Sequence, residues 1–398
     1  MPPATGFVAE TAMSEASLPA PDAAARAHSA RVVAAVRAEI ARAGGFIPFT
    51  RYMELVLYAP GLGYYAAGAQ KFGAAGDFVT GPELTPLYGA ALAKQVAGIL
   101  ATTVTHEIVE FGAGSGALAA AMLNALAGAQ ALPSRYRILE VSPQLRAMQQ
   151  RTLAARAPSV VGRVEWIERL PAAVDGVVVM NEVLDAVAPR LIARRSGSWF
   201  ERGVAWLDDA LAWDERPLAD ARAEAAARAR FPADGDYVSE VNLAAEALVT
   251  TIGRRIASGA LLIVDYGFPR HEYYHAQRSA GTLVGHYRHR VHEDPFLWPG
   301  LSDLTSHVDF TAIADAGERA GMHVAGFATQ AAFLLGCGIL DLLQAAGAPE
   351  SIDYLREASA IQKLLSPAEM GELFKVVLLG RADAGWRSLA LADMTHRL

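Results

Sequence analysis

The sequence predicts an α/β protein built on a doubly wound, mostly parallel sheet. Three observations carry that prediction. Between about residues 107 and 265, short apolar segments alternate with segments of helical periodicity, which is the pattern of βαβ units. Two of those segments, 174–180 and 260–264, are almost wholly apolar, as strands buried on both faces are. A glycine-rich turn at 112–116 joins the first strand to a helix. Such turns lie at the carboxyl ends of parallel strands, where α/β sheets bind ligands.

Residues 1–30, rich in Ala, Pro, Ser and Thr, read as a disordered tail. They lack a basic start followed by an apolar core, so they do not read as a secretory signal. Residues 31–100 read as an N-terminal helical segment with a long loop. Val32, Val33, Val36 and Ile40 make a helical stripe that ends at Gly44-Gly45. A short helix follows at 48–57, with Pro48 near its start. The stretch 59–85 is glycine-rich and shows little periodicity; loops this long are usually functional or mobile. A helix at 86–100 completes the segment.

Residues 101–398 form the main domain. Strands are expected at 107–111, 136–141, 164–167, 174–180 and 260–265. Helices are expected at 116–126, 143–155 and 241–256. An insertion at about 190–240 carries Trp199, Phe200, Trp206 and Trp213 with polar breaks. It reads as antiparallel strands, then a helix near 217–230. A second insertion, polar and histidine-rich, spans 269–310. Helices near 311–320, 331–344 and 352–364 and a strand at 374–379 close the chain.

Composition narrows the function. The 398 residues hold 35 basic and 42 acidic side chains, a net charge of -7, which argues against bulk binding to nucleic acid. One cysteine, Cys337, excludes a disulfide framework and a thiolate metal cluster. No run of about 18 apolar residues suggests a membrane span. The expectation is a soluble, cytoplasmic protein. The late helices are candidates to pair two copies as a homodimer.

The stretch Ile108 to Leu118 is the most informative. An apolar strand ends in Glu110, and Gly112, Gly114 and Gly116 then lead into a helix. Alternate glycines let a ligand sit against backbone, and the helix start offers free amide donors. A phosphate-gripping P-loop would end in Gly-Lys-Ser/Thr, and this turn does not. A nicotinamide dinucleotide and S-adenosyl-L-methionine both remain open. Glu140 ends the next strand, where an acid can bind the vicinal hydroxyls of a ribose. Trp166 ends the third strand, a place to pack on an adenine ring or to join the core. Asn181 and Glu182 follow the fourth strand, at its ligand-binding end.

Several stretches carry a family likeness. Glu110 to Gly116 resembles the first motif of class I methyltransferases. Gly76 to Glu83, Asn181 to Ala186, Val264 to Gly267, Gly281 to Leu283 and Pro299 to Phe310 resemble one branch of them. The branch is the MidA-like family, whose mitochondrial member is a complex I assembly factor that methylates arginine. The resemblance runs from about residue 46 to residue 379. It implies a Rossmann-like methyltransferase that uses S-adenosyl-L-methionine on a protein arginine, with a respiratory complex I subunit as the implied target. Gly112, Gly114 and Gly116 would form the cofactor turn, and Glu140 the ribose acid. The loop 76–83 would cover the cofactor with Phe78, Thr80 and Pro82. Gly81 stands where the family usually has serine, and Ala188, Pro189 and Arg190 depart from its pattern on the substrate side.

Methyl transfer to a guanidinium needs alignment and the removal of a proton. Glu182 and Asp185, three apart beyond a strand, are the first catalytic candidates, and Asp77 and Glu83 the second. His307 is placed on the cleft as a further candidate. His286, His289 and His292 recur every three residues; interleaved Arg288 and Arg290 make a polar insertion a better reading than a metal site. A methyltransferase of another substrate, a nicotinamide-dependent oxidoreductase and a non-catalytic assembly chaperone stay as alternatives.

Overall fold

The computed structural model describes residues 18–66, 80–381 and 392–398. The first elements are α1 (Ala23–Arg42), β1 (Phe46–Pro48), α2 (Phe49–Tyr58), α3 (Gly81–Leu84) and α4 (Pro86–Leu100). The alternating part runs β2 (Glu107–Phe111), α5 (Ala117–Gly128), β3 (Arg135–Leu139), α6 (Pro143–Arg156), β4 (Val164–Ile167) and β5 (Val174–Asn181). An antiparallel group follows: β6 (Arg190–Arg195), β7 (Ser198–Leu207), β8 (Ala210–Pro217), α7 (Ala221–Arg230) and β9 (Tyr237–Val241). The chain returns through α8 (Leu243–Arg255) and β10 (Ile256–Phe268). Then come α9 (Arg270–Tyr273), β11 (Val284–Tyr287), β12 (Arg290–His292), β13 (Asp303–Thr305) and β14 (Val308–Asp309). Last are α10 (Phe310–Arg319), β15 (His323–Thr329), α11 (Gln330–Gly336), α12 (Ile339–Ala345), α13 (Ile352–Leu365) and β16 (Phe374–Gly380).

The main sheet has the order β15-β16-β10-β5-β2-β3-β4. Strands β10, β5, β2, β3 and β4 are parallel, and β16 runs antiparallel to both β10 and β15. Alternate residues divide between two cores. Ile108, Val177, Val179, Leu262 and Val264 pack with α4 and α5 on one face. Val109, Val178, Met180, Leu261 and Ile263 pack with α8 and α10 on the other. That period-two division is why these strands look apolar throughout. From β2 the chain moves outward to β3 and β4, then crosses to β5 on the other side of β2. The reversal leaves a crevice beyond the carboxyl ends of β2 and β5.

The second sheet, β1-β7-β6-β9 with β8 on β7, is antiparallel and carries the N-terminal helices. A third, small sheet, β12-β11-β13, lies within the second insertion. Glu240 of β9 ties that insertion down. Its Oε1 accepts the backbone N–H groups of Thr282 at 2.8 Å and Leu283 at 3.0 Å, and its Oε2 accepts the Tyr273 hydroxyl at 3.1 Å. A Cβ on Gly281 would stand 2.5 Å from that Oε1, so only glycine lets the chain pass.

Two sequence expectations change. Helix α1 starts at Ala23, where the Asp22 side chain accepts the Ala25 N–H at 2.8 Å; residues 23–30 are therefore helix, not tail. The single helix expected at 331–344 is two, because Gly338 takes a left-handed φ of 73° between α11 and α12.

Candidate active site

A cleft of about 600 Å³ opens at the carboxyl ends of β2, β3 and β5. The glycine turn builds its floor. Gly112 and Gly114 line it, with φ of 61° and 52°. A Cβ on Gly112 would meet Val183 at 2.9 Å. Gly116, at φ 87°, instead starts α5 and faces α6, where a Cβ would lie 3.1 Å from the Gln149 Cα. Gly116 does not line the cleft.

Glu110 lines the cleft from the end of β2. Burial pushes its carboxyl up to about 7, partly offset by the Tyr136 hydroxyl, which donates to it at 2.8 Å. Glu140 lines the cleft beyond β3. Its Oε1 accepts the Ser142 N–H at 2.7 Å and its Oε2 accepts the Gln149 amide at 3.0 Å. Thr80, Pro82 and Glu83 close the cleft from α3, and the Ser115 hydroxyl donates to Glu83. Asp77 and Phe78 lie outside the described residues.

Asn181 and Glu182 form the far end of the cleft. The Tyr88 hydroxyl donates to Asn181 Oδ1 at 2.6 Å, and Asn181 Nδ2 donates to Glu182 Oε1 at 3.0 Å. Burial pushes the Glu182 carboxyl up to about 8; Asp185 and Asp303 push the same way, and Asn181 and the Gly81 N–H oppose them. Gly81 fits there because a Cβ would press on the Tyr88 ring at 2.9 Å. Asp185 sits just behind, 3% exposed, with Oδ1 buried and without a hydrogen-bond partner among the described residues; burial raises its carboxyl too. The turn after Glu182 is held by Asp265, whose Oδ2 accepts the N–H groups of Val183 at 3.2 Å, Leu184 at 2.9 Å and Asp185 at 3.4 Å.

Two expected residues stand elsewhere. Trp166 does not line the cleft; its indole donates to Gln149 Oε1 at 2.9 Å. His307 is packed edge-on between Tyr266 and Phe268, with ring centroids at 5.8 and 5.2 Å. Burial drives its pKa down to about 3, and it borders a separate small cavity near Glu240 and Asp309 rather than the cleft.

Residues missed from the sequence include Tyr58 and Tyr65, which line the cleft and stack at 5.5 Å with 17° between their planes. The Tyr65 hydroxyl donates to Asp303 Oδ2 at 2.7 Å. No local signal marks these long-range partners. Gln149 did leave one: it interrupts the i, i+4 stripe Leu145, Gln149, Leu153 on α6. In the insertion, His286 and His292 lie in β11 and β12, and His289 falls in the turn between them.

A glycine turn, the buried acids Glu110 and Glu140 and a parallel sheet's crevice define a nucleoside-binding site. The family described as S-adenosyl-L-methionine-dependent methyltransferase (Methyltransf_28) matches residues 91–328. A crystal structure of a Burkholderia thailandensis protein bound to S-adenosyl-homocysteine is 50% identical, with a TM-score of 0.92 over 96% of this chain and 100% of that one. The mitochondrial "protein arginine methyltransferase NDUFAF7 homolog" of Drosophila melanogaster is 28% identical, over 90% of this chain and 87% of its own. The Mus musculus NDUFAF7 protein is 29% identical, over 83% and 80%. The chain belongs to this family of S-adenosyl-L-methionine-dependent methyltransferases, and that cofactor takes precedence over the dinucleotide. The expected cytoplasmic location is corrected here: the curated relatives of fly, mouse and human are all mitochondrial.

Proposed function

We propose that this chain transfers a methyl group to an arginine guanidinium of a protein, with a respiratory complex I subunit as the target that the sequence resemblance points to. The observation that carries the reading is the carboxyl cluster at the end of the cleft. The charged groups that bear most on Glu182 are Asp185 and Asp303, and those on Asp265 are Asp185 and Glu182. Buried acids that chiefly face one another favour a bound cation with several donors, and a guanidinium is a planar one. The relatives named as protein arginine methyltransferases support the same substrate class.

The cleft fits the cofactor: two glycines with left-handed φ bring backbone to its floor, and acids stand at two points along it. S-adenosyl-L-methionine supplies a methyl group on a sulfonium sulfur. Gly112 and Gly114 would contact it, with Glu110 toward its amino-acid end, Glu140 at its ribose and Thr80 and Pro82 above. Asn181 borders the passage toward Glu182. Glu182 would hold the guanidinium fork, with Asp185 behind it helping to localise the charge. A carboxylate with a raised pKa then takes the departing proton. Trp166 and Gly116 act as supports, and His307 has no direct role.

The test is incubation with labelled cofactor and membranes rich in complex I, followed by mass spectrometry of arginine peptides. Wild type should methylate an arginine. Glu182→Gln and Asp185→Asn should each lose on the order of 10²-fold or more while binding S-adenosyl-homocysteine normally. Full transfer by both variants would sink the assignment, and so would methyl groups found only on small molecules.

A further inference from the structure

We infer that Gln149 is a positioning residue for the cofactor, fixing the ribose acid and the glycine turn together through one buried amide. Gln149 sits in the middle of α6 and is fully buried. Its Nε2 donates to Glu140 Oε2 at 3.0 Å and to the Gly114 carbonyl at 3.1 Å. Its Oε1 accepts the Trp166 indole N–H at 2.9 Å. That third bond decides the amide's orientation. An indole N–H can only donate, so Oε1 must face Trp166 and the NH₂ must face the two acceptors.

Glu140 is held at both oxygens, by the Ser142 N–H and by Gln149. Each carboxylate oxygen can accept a further bond. A carboxylate so clamped presents its remaining lone pairs in one direction, toward the cleft that it lines. The bond to the Gly114 carbonyl anchors the other contact surface. Gln149 thus couples residues of β2's turn, β3's end and β4's end without lining the cleft itself. The closeness of α6 to Gly116 keeps the amide at that depth.

The inference rests on the reading of Glu140 as the ribose acid, and the test separates the two. Isothermal titration would compare S-adenosyl-homocysteine with its 2′-deoxy analogue. Wild type should prefer the hydroxylated ligand roughly tenfold, the size of one hydrogen bond to a charged group. Gln149→Leu should cut that preference to about threefold or less and raise KM for the cofactor several-fold, leaving kcat at saturation nearly unchanged. Gln149→Glu adds a signature that packing alone would not: its affinity should recover as pH falls, when a proton restores one donor. Should Gln149→Leu not fold, Trp166→Phe removes the orienting donor, with some ring volume, and serves the same comparison. A preference unchanged in a folded Gln149 or Trp166 variant, with Glu140→Ala having lost it, overturns the role of Gln149 alone. A preference that survives Glu140→Ala overturns both.

Discussion

Glu182 carries two costs that an ordinary packing residue would not. Its backbone lies at φ 53°, in the left-handed region, where a non-glycine residue costs about 1 kcal/mol or more. Its half-buried carboxyl is pushed up to about 8, by desolvation first and by Asp185 second. Such costs persist where surrounding structure enforces them, commonly at functional sites. Here the N–H of Glu182 donates to Val264 at 2.9 Å, and Asp265 clamps the next three residues. The pKa shift has a definite sign in stability. Between the ordinary value of 4.5 and about 8, the native state binds more protons than the unfolded chain. Stability therefore falls as pH rises through that window and levels off above it. Urea midpoints from pH 5 to pH 9 should show the fall in wild type. Glu182→Gln should flatten it by up to roughly 1 kcal/mol per pH unit. Equal slopes in both proteins would mean that Glu182 is ionised in the native state.

At the scale of elements, the insertion 269–310 hangs on Glu240. Glu240 is 2% exposed and accepts the N–H groups of Thr282 and Leu283 and the hydroxyls of Tyr273 and Ser239. Beyond that anchor, β13 brings Asp303 to the Tyr65 hydroxyl. Glu240→Ala leaves the Thr282 and Leu283 N–H groups without their acceptor, which should cost about 2–4 kcal/mol. Hydrogen exchange should quicken across 281–292 and 303–305, methyl transfer should fall, and S-adenosyl-homocysteine affinity should hold. Loss of cofactor binding in the folded variant would show that the insertion supports the glycine turn instead. The same elements mark what the sequence could and could not tell. Strands β2, β3, β5 and β10 and the helices between them were legible, because apolar runs and helical stripes are local signals. Strand β9, Tyr237–Val241, was not: it is buried throughout, yet holds Ser239 and Glu240 as satisfied polar groups, so no alternation shows. Strand β15 carries Gly326 and an irregular register beside it. Strands β11, β12 and β13 have only three or four residues each, too few for a period. Within the site, Glu110, Gly112, Gly114, Glu140, Asn181 and Glu182 were legible from strand ends, since the fold fixes where such ends lie. Asp265 was legible in the same way, at the end of the fifth strand, whereas Asp303, Tyr58 and Tyr65 act through contacts distant in sequence.

At the scale of the molecule, the cleft joins two bodies of structure that the chain visits out of order. The parallel sheet supplies the glycine turn, Glu140 and Glu182. The N-terminal segment supplies Tyr58 and Tyr65, and hydrogen-bonds across to the rest. Thr50 reaches the Pro189 carbonyl at 2.7 Å, Tyr52 the Pro295 carbonyl at 2.6 Å and Tyr58 the Ala186 carbonyl at 2.8 Å. The hairpin β7–β8 packs on that segment but does not line the cleft. Ligand binding should therefore stabilise the molecule unevenly. S-adenosyl-homocysteine at about 100 times its dissociation constant adds roughly 2.7 kcal/mol, a rise of several degrees in melting temperature. NAD at the same concentration should add nothing. Hydrogen exchange should slow at 108–118, 139–145 and 181–186, and at 58–66 if the two bodies close on the cofactor together. The β7–β8 hairpin, which does not line the cleft, should be unaffected where exchange proceeds by local opening. Protection confined to 108–145, with 58–66 unchanged, would instead mean that the sheet binds cofactor alone. The tyrosine wall would then respond only to substrate, and Tyr65→Phe should raise KM for the methyl acceptor without changing affinity for S-adenosyl-homocysteine.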